Sequence, residues 1–390
     1  MKVAHLCNLP LLEDHPDFGR IPTHPGRWVL NIARAQAQFT DIQPELVVQM
    51  PGTTKNYDGV IDGIPVHYVA APDVLRSATL FFFDARRLAR RVAELRPDVV
   101  HAHGTEDAYG LAAQRSGRPC IITAQGLYFL INQTTRPRFV SRARIVQWAE
   151  RRCFQHARHV IAKSEYVRAH LAAKFPHLVF HHIPNTFDTR LLEVQEAREK
   201  GVVVFVGTMS LWKGVHFLRE AMVEVKRHLP QARLWIVGDR PESPGDYERA
   251  EKQALFAALG ESVTFHGTRP FLETAALIAR ASVLAAPSIQ DMFGNQVIEA
   301  LLLGTPVVTV EGTAMPENVR RFGNGVIVRE HAPRQLADAL ISVLQNPPPV
   351  DEAQSAREKV VAFMQPQRVA ELHAAAYRAI RVESGETIDR

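Results

Sequence analysis

Cysteine is scarce: Cys7, Cys120 and Cys153 are the three present in 390 residues, scattered and odd in number. That excludes a disulfide framework, and no pair has metal-ligand spacing. Cys7 and Cys120 fall in strand-like runs, where a reduced thiol serves as a small hydrophobe. No apolar run approaches the ~20 residues that cross a bilayer, which excludes a membrane-spanning helix. The start, Met1-Lys2-Val3-Ala4-His5-Leu6, has neither the longer apolar stretch nor the small-residue cleavage site of a secretory signal. Together these absences point to a cytoplasmic protein. No Asp-x-Asp pair, internal repeat or low-complexity tract occurs. The basic residues lack interleaved stacking aromatics, which argues against a nucleic-acid partner.

What is present is globular in kind: 46% apolar and 22% charged residues, with a formal net charge of +5. The length suits two domains. Val3 to Leu9, Glu45 to Met50, Val66 to Ala71, Asp98 to His103, Cys120 to Ala124 and His159 to Lys163 read as strands, with helical spacing such as Leu88, Val92 and Leu95 between some of them. A polar stretch from Leu192 to Lys200 reads as a linker. The alternation then resumes with Val202 to Met209, Ala232 to Val237, Val263 to His266, Ser282 to Pro287, Pro306 to Val310 and Val326 to Val328. Near-continuous apolar strands separated by amphipathic helices predict parallel sheets covered on both faces. Two such α/β halves meet near residue 190 and bind ligands at the carboxyl ends of their strands. After Asn346-Pro347-Pro348-Pro349 two helical stretches follow, the last with Val369, Leu372, Ala376 and Ile380 on one face.

Most of the chemistry lies in Ala286 to Leu301. A strand ends at Pro287, a loop carries Asp291 and Phe293-Gly294, and a helix opens near Asn295. Backbone N–H groups at that helix start favour an anionic or hydroxyl-rich ligand. Asp291 and Glu299 can accept hydrogen bonds from sugar hydroxyls at two points of one extended ligand. Taken alone, Asp291 could equally cap the helix and Glu299 pair with a basic neighbour. Lys213, after a strand and before a helix, is well placed for phosphate, although spacing alone favours an ordinary solvated lysine.

This stretch resembles the Glu-x7-Glu signature of the retaining glycosyltransferases of family 4, here Asp291-x7-Glu299 with Phe293-Gly294 inside. The likeness extends to Gly304-Thr305-Pro306-Val307-Val308, Val206-Gly207 with Lys213-Gly214, Val237-Gly238-Asp239, Phe265-His266-Gly267, Pro184-Asn185 and Pro97-Asp98-Val99-Val100-His101-Ala102-His103, in the family's order across nearly the whole chain. It implies the GT-B fold: two Rossmann-like doubly wound domains facing a cleft, with domains at 1–190 and 191–364 and a final helix, 365–390, crossing back to the first. It implies a nucleotide-sugar donor and a glycan or lipid-linked acceptor. Glu299 would bind the ribose, Asp291 the transferred sugar, Lys213 the diphosphate, and Phe265 to Gly267 the base through backbone. The family's Gly-Gly turn near the donor phosphates is reduced here to Gly26, in His24-Pro25-Gly26-Arg27, which a plain Pro-Gly turn explains as well.

Three departures stand out. Thr208 follows Gly207 where the family has an arginine; Gln125-Gly126 stands for its His-Gly; Asp291 replaces the first Glu. Glutamine still hydrogen-bonds a sugar but carries no proton charge, and a lost cation weakens leaving-group stabilisation unless Arg269 or Arg27 replaces it. No cofactor or metal is expected: His101 and His103 project to one strand face without a matching third ligand in sequence, and read as packing or cleft histidines rather than zinc ligands. From Arg136 to Arg158 the chain gathers seven arginines against one acid, Glu150. Arg144, Arg151 and Arg158 recur every seven residues and would share a helix face, with Ile145, Trp148, Ala149 and Arg152 on another. Arg86, Arg87, Arg90 and Arg91 form a second cluster. An anionic membrane surface would gain ~1 kcal/mol per nearby arginine, placing the protein peripherally on the inner face of the cell membrane; a solvated helix face explains the pattern too. Two rivals share the architecture: a nucleotide-sugar epimerase, which lacks a clear acid/base pair here, and a catalytically silent sugar-nucleotide-binding partner.

Overall fold

Val202-Val203-Val204-Phe205-Val206 has no polar face to turn toward water, and its first four residues are buried in a strand covered on both sides. The computed structural model describes the chain except residues 10, 12–13, 17–27, 75, 139–140, 239–244, 330 and 386–390. Two units emerge: Met1–Phe187 with Met364–Arg390, the amino-terminal unit, and Asp188–Phe363, the carboxy-terminal unit.

The amino-terminal unit holds β1 (Lys2–Cys7), β2 (Gln43–Pro51), β3 (Tyr57–Ile61), β4 (Ile64–Ala71), β5 (Val99–His103), β6 (Cys120–Thr123), β7 (His159–Ala162) and β8 (Val179–His182), ordered β3-β4-β2-β1-β5-β6-β7-β8. All neighbours run parallel except β3 and β4, an antiparallel hairpin closed by Asp62 and Gly63 at positive φ. β3 and β8 are absent from the sequence-based strand set; both are short edge strands with partly polar, partly exposed residues. The order reverses between β1 and β5.

The carboxy-terminal unit holds β9 (Val202–Val206), β10 (Arg233–Val237), β11 (Val263–Gly267), β12 (Val283–Ala286), β13 (Val307–Val310) and β14 (Gly325–Val328), all parallel, ordered β11-β10-β9-β12-β13-β14. This is the doubly wound order, and its reversal lies between β9 and β12, where such sheets bind ligands. Its core joins Val203 and Phe205 of β9 to Leu218 and Met222 of one helix and Leu336 and Leu340 of another.

The last helix, Pro366–Glu383, packs within the amino-terminal unit. Its buried stripe is Val369, His373, Ala376, Tyr377 and Ile380, while Leu372 is 36% exposed. The apolar reading of that face misplaced Leu372 because the true stripe includes the polar His373 and Tyr377. No helix among the described residues is long and apolar enough to cross a membrane.

Candidate functional site

Strands β9 and β12 end side by side, and each feeds a loop and then a helix. After β9 come Gly207, a 3-10 turn at Leu211–Lys213, Gly214 and the helix Val215–His228. After β12 come Pro287, the buried Ser288, the Asp291 loop, Gly294 and the helix Asn295–Leu302. The loops are stitched together: Ile289 N and Gln290 N donate to Trp212 O at 2.8 and 3.2 Å. Gly214 makes this possible, since its φ is 72° and a Cβ there would lie 2.0 Å from Pro287 O.

The approach brings two expected residues into contact. Lys213 Nζ donates to Asp291 Oδ2 at 2.7 Å, Phe293 N donates to Asp291 Oδ1 at 3.0 Å, and Gln296 Nε2 lies 3.5 Å from Oδ2. Burial pushes the Asp291 carboxyl up, but the Lys213 charge and these hydrogen bonds hold it below its ordinary value, so it stays ionised. Glu299 lies one turn beyond Gln296 on the same helix face. It makes no hydrogen bond or ion pair with a described residue, and burial alone pushes it up to about 7. Neither helix start carries a side-chain cap hydrogen bond, and the positive end of each helix dipole lies at this reversal.

The other expected residues fall around this pair. Gly207 N donates to Val237 O and Gly238 N to Gly267 O, both at 2.9 Å, tying the ends of β9, β10 and β11 into one backbone floor. A Cβ on Gly238 would meet Gly207 O at 2.9 Å. Thr208 is exposed, Phe265 is half-buried under Lys252 Nζ, and Asn295 is exposed at the helix start. Phe293 is buried, its carbonyl accepting from Asn318 Nδ2 at 2.6 Å. Arg269 donates to His266 O at 2.6 Å and lies 3.9 Å from Glu273, so its guanidinium is engaged in its own turn. Gly26 and Arg27 lie outside the described residues, as does Asp239.

The amino-terminal sheet carries a second polar cluster, at the carboxyl ends of β5, β6 and β7. Lys163 Nζ donates to Gln125 Oε1 at 2.6 Å, and Gln125 Nε2 is buried with no hydrogen-bond partner among the described residues. Glu106 lies against Gly104 and Gly126: a Cβ on Gly104 would fall 2.0 Å from its Oε2 and 3.5 Å from Gln125 Cγ. Burial pushes Glu106 up to about 7. Sequence reasoning found Gln125 but missed Glu106 and Lys163; the available signal is a charged side chain just past a strand's carboxyl end, in Thr105-Glu106-Asp107 and in Lys163-Ser164.

Behind this cluster, the third histidine that sequence spacing did not supply is His5. β1 pairs with β5 in the register His5↔His101, and the ligand atoms of His5, His101 and His103 lie within 4.8 Å of one another. These imidazoles are already engaged. His5 Nδ1 meets His103 Nε2 and His5 Nε2 meets Gln36 Oε1, each at 2.9 Å; His101 reaches Tyr377 OH at 2.7 Å and Thr123 Oγ1 at 2.6 Å. Burial lowers all three and His373, His5 to about 3 and His373 to about 4, so the cluster is neutral.

The arginine-rich segment is a helix, Arg142–His156, that ends before Arg158. Arg158 therefore does not extend the Arg144–Arg151 face; it pairs with Glu383 at 2.8 Å. Glu150 faces inward, accepting from Tyr128 N and Phe129 N at 2.7 and 3.0 Å, and burial pushes it up to about 8. The exposed face is left to Arg142, Arg144, Arg151 and Arg152, with Trp148 at 42% exposure.

Residues 25–191 match the family model described as Glycosyltransferase Family 4, and residues 200–346 match that described as Glycosyl transferases group 1. A D-inositol 3-phosphate glycosyltransferase of Segniliparus rotundus is 34% identical over 146 residues, 37% of this chain and 32% of that protein. A glycogen synthase of Mycobacterium tuberculosis is 29% identical over 180 residues, 46% of this chain and 42% of that protein. The chain thus spans about a third of the length of the inositol-phosphate relatives it matches. Among solved structures, sucrose-phosphate synthase from Thermosynechococcus elongatus superposes with a TM-score of 0.78 at 19% identity, over 98% of this chain and 99% of that one. HepE from Anabaena, solved with UDP and glucose, gives 0.72 at 19% identity, over 97% and 100%. These likenesses establish the fold as the two-domain α/β architecture called GT-B.

Proposed function

The chain belongs to the family 4 glycosyltransferases, and on that premise we propose that it moves a sugar from a nucleotide-diphosphate sugar onto a glycan or lipid-linked acceptor, retaining anomeric configuration and needing no metal ion. The observation that carries this reading is the Lys213–Asp291 pair at the β9/β12 reversal, with Glu299 one helical turn further on. As the glycosidic bond breaks, negative charge grows on the leaving diphosphate. Lys213 and the two uncapped helix starts offer fixed positive potential to that charge, the task a divalent cation performs elsewhere. Asp291 and Glu299, acceptors when ionised, suit hydroxyls of the transferred sugar and of the ribose. The floor of Gly207, Gly238 and Gly267 lets backbone approach the nucleotide closely.

HepE was solved with UDP and glucose, which makes UDP-sugars the first donors to test. Release of nucleoside diphosphate from UDP-, GDP- and ADP-glucose, with and without crude acceptor extract, decides the matter. Turnover of one donor that collapses in Lys213→Ala supports the reading; no turnover and no binding of any donor removes it. Thr208 and the engagement of Arg269 in its own turn favour a second reading, a partner subunit that binds sugar nucleotide without turning it over; saturable binding without release in that assay would select it.

Membrane association belongs to the same proposal. The exposed arginines of the helix Arg142–His156, with Trp148 beside Arg152, suit an anionic bilayer holding a lipid-linked acceptor. Salt-sensitive co-sedimentation with anionic, but not neutral, vesicles is expected, and its absence would remove this part.

A further inference from the structure

We propose that Asn318 is a positioning residue of the donor site, fixing the Phe293–Gly294 peptide so that the Gly294 N–H is presented to the leaving diphosphate. The inference rests on the reading of the chain as a sugar transferase and adds to it the device that aims the Asp291 loop.

Asn318 lies on the helix Met315–Phe322, buried in one stripe with Met315, Val319 and Phe322, and is 8% exposed. A buried amide in an apolar stripe needs a hydrogen-bond partner, and here it is the Phe293 carbonyl, 2.6 Å from Nδ2. A carbonyl oxygen only accepts, so the atom facing it is the amide nitrogen, which settles the orientation of an otherwise ambiguous side chain. The same helix start meets the loop at two further points. Ala314 N donates to Asp291 O at 3.0 Å. Met315 fills the space that a side chain at 294 would need: a Cβ there would fall 2.5 Å from its Cγ, and Gly294 has φ 78°. Residues 291, 293 and 294 are thus held by this helix start, while Lys213 holds the Asp291 carboxylate.

In a trans peptide the C=O and the next residue's N–H point in opposite directions. With the Phe293 carbonyl drawn onto Asn318, the Gly294 N–H is turned away from the helix Met315–Phe322, to the opposite side of the loop. It donates to no acceptor among the described residues, whereas Phe293 N is taken by Asp291 Oδ1. Gly294 directly precedes the helix Asn295–Leu302, so its N–H joins the donors of that helix start. Negative charge grows on the diphosphate as the glycosidic bond breaks. A donor fixed in direction stabilises that growth more than it stabilises the intact nucleotide sugar, so its orientation shows in kcat more than in KM. Asn318 itself touches no ligand in this arrangement and acts through the peptide.

The test uses the full chain and steady-state release of nucleoside diphosphate from UDP-, GDP- and ADP-glucose, with UDP affinity and the thermal midpoint measured on the same samples. Asn318→Leu, close in shape but without a donor, should lower kcat for the donor that wild type uses by about 10- to 100-fold, with KM changed less than about threefold. Asn318→Asp is the informative variant. Its carboxyl donates to the Phe293 carbonyl only when protonated, and burial raises its pKa. Its kcat relative to wild type should therefore rise about tenfold between about pH 8.5 and pH 6. A role in stability alone would lower the thermal midpoint without splitting kcat from KM. If Asn318→Leu does not fold, the pH profile of Asn318→Asp decides. Unchanged kcat in a folded Asn318→Leu, a loss confined to KM, or a ratio of Asn318→Asp to wild type that is flat with pH overturns the proposal. A wild type that neither binds UDP nor turns over any donor would instead strike the donor reading, so the two failures are distinguishable.

Discussion

At the β9/β12 reversal charge is held by charge: Lys213 neutralises a largely buried Asp291, and the pair is fixed by two loops and a glycine. At the ends of β5 to β7 in the other unit the buried groups are mostly neutral or poised near neutrality. Glu106 sits at about 7, several donors and acceptors have no partner among the described residues, and the four histidines behind, His5 of β1 and His373 of the last helix among them, are stripped of charge. The difference teaches that at one reversal the loop-to-loop contact is charge-compensated before any ligand arrives, with the buried Glu299 carboxyl beside it still to be matched. The other keeps hydrogen-bonding capacity open, which suits hydroxyl-rich ligands.

The sharpest way to break this contrast is to remove the cation. Lys213→Ala should lower donor turnover by roughly 10²–10³-fold, and it leaves Asp291 buried and uncompensated, which costs about 3–5 kcal/mol in stability. The double variant Lys213→Met with Asp291→Asn should regain most of the stability and none of the turnover; kinetics and denaturant unfolding on the same samples separate the two.

Acid should attack the units unequally. Histidines held neutral by burial contribute stability that is present above their unfolded value of 6.5 and lost as pH falls. Glu106 and Glu150, raised above 4.5, act in the opposite sense across the same window. The histidines held neutral outnumber the raised carboxyls in the amino-terminal unit, so that unit should lose stability as pH falls from about 6.5 toward 4.5. Limited proteolysis at pH 5 should cut residues of that unit first; equal cutting of both would remove the contrast.

A smaller effect sharpens the role of Glu299. Burial favours its neutral form, so the associated stability is complete below 4.5 and is lost as pH rises through about 7. Glu299→Gln should therefore be more stable than wild type at pH 8 by about 1–3 kcal/mol, with the gap closing by pH 5, and should bind nucleotide less tightly. Smallest of all is the expected response to EDTA, an unchanged rate of nucleotide release; a strict divalent-ion requirement would contradict Lys213 as the diphosphate's cation.

Much of this is legible in sequence. Most of the strands β9 to β14 are largely apolar runs between helical patterns, β11 (Val-Thr-Phe-His-Gly) being the exception, so a parallel arrangement is legible from the pattern. Lys213 and Asp291 are legible as site residues because each sits just past such a strand. What escapes is whatever depends on register or on a neighbour distant in the chain. His5 joins His101 only through the pairing of β1 with β5, and Lys163 finds Gln125 only because β6 and β7 are adjacent. Glu150 illustrates the limit differently: charge counting sets it among arginines, whereas the fold turns it inward onto the amides of Tyr128 and Phe129.

The central claim is that Lys213, Asp291 and Glu299 surround one sugar diphosphate. Thermal unfolding of wild type, Lys213→Ala and Glu299→Gln, each with saturating UDP-, GDP- or ADP-glucose, tests it most directly, because selective binding stabilises the folded state in proportion to affinity. The account predicts that one donor raises the wild-type midpoint and that both substitutions abolish most of the rise. A wild type indifferent to all three donors, or variants that keep the full shift, would contradict it.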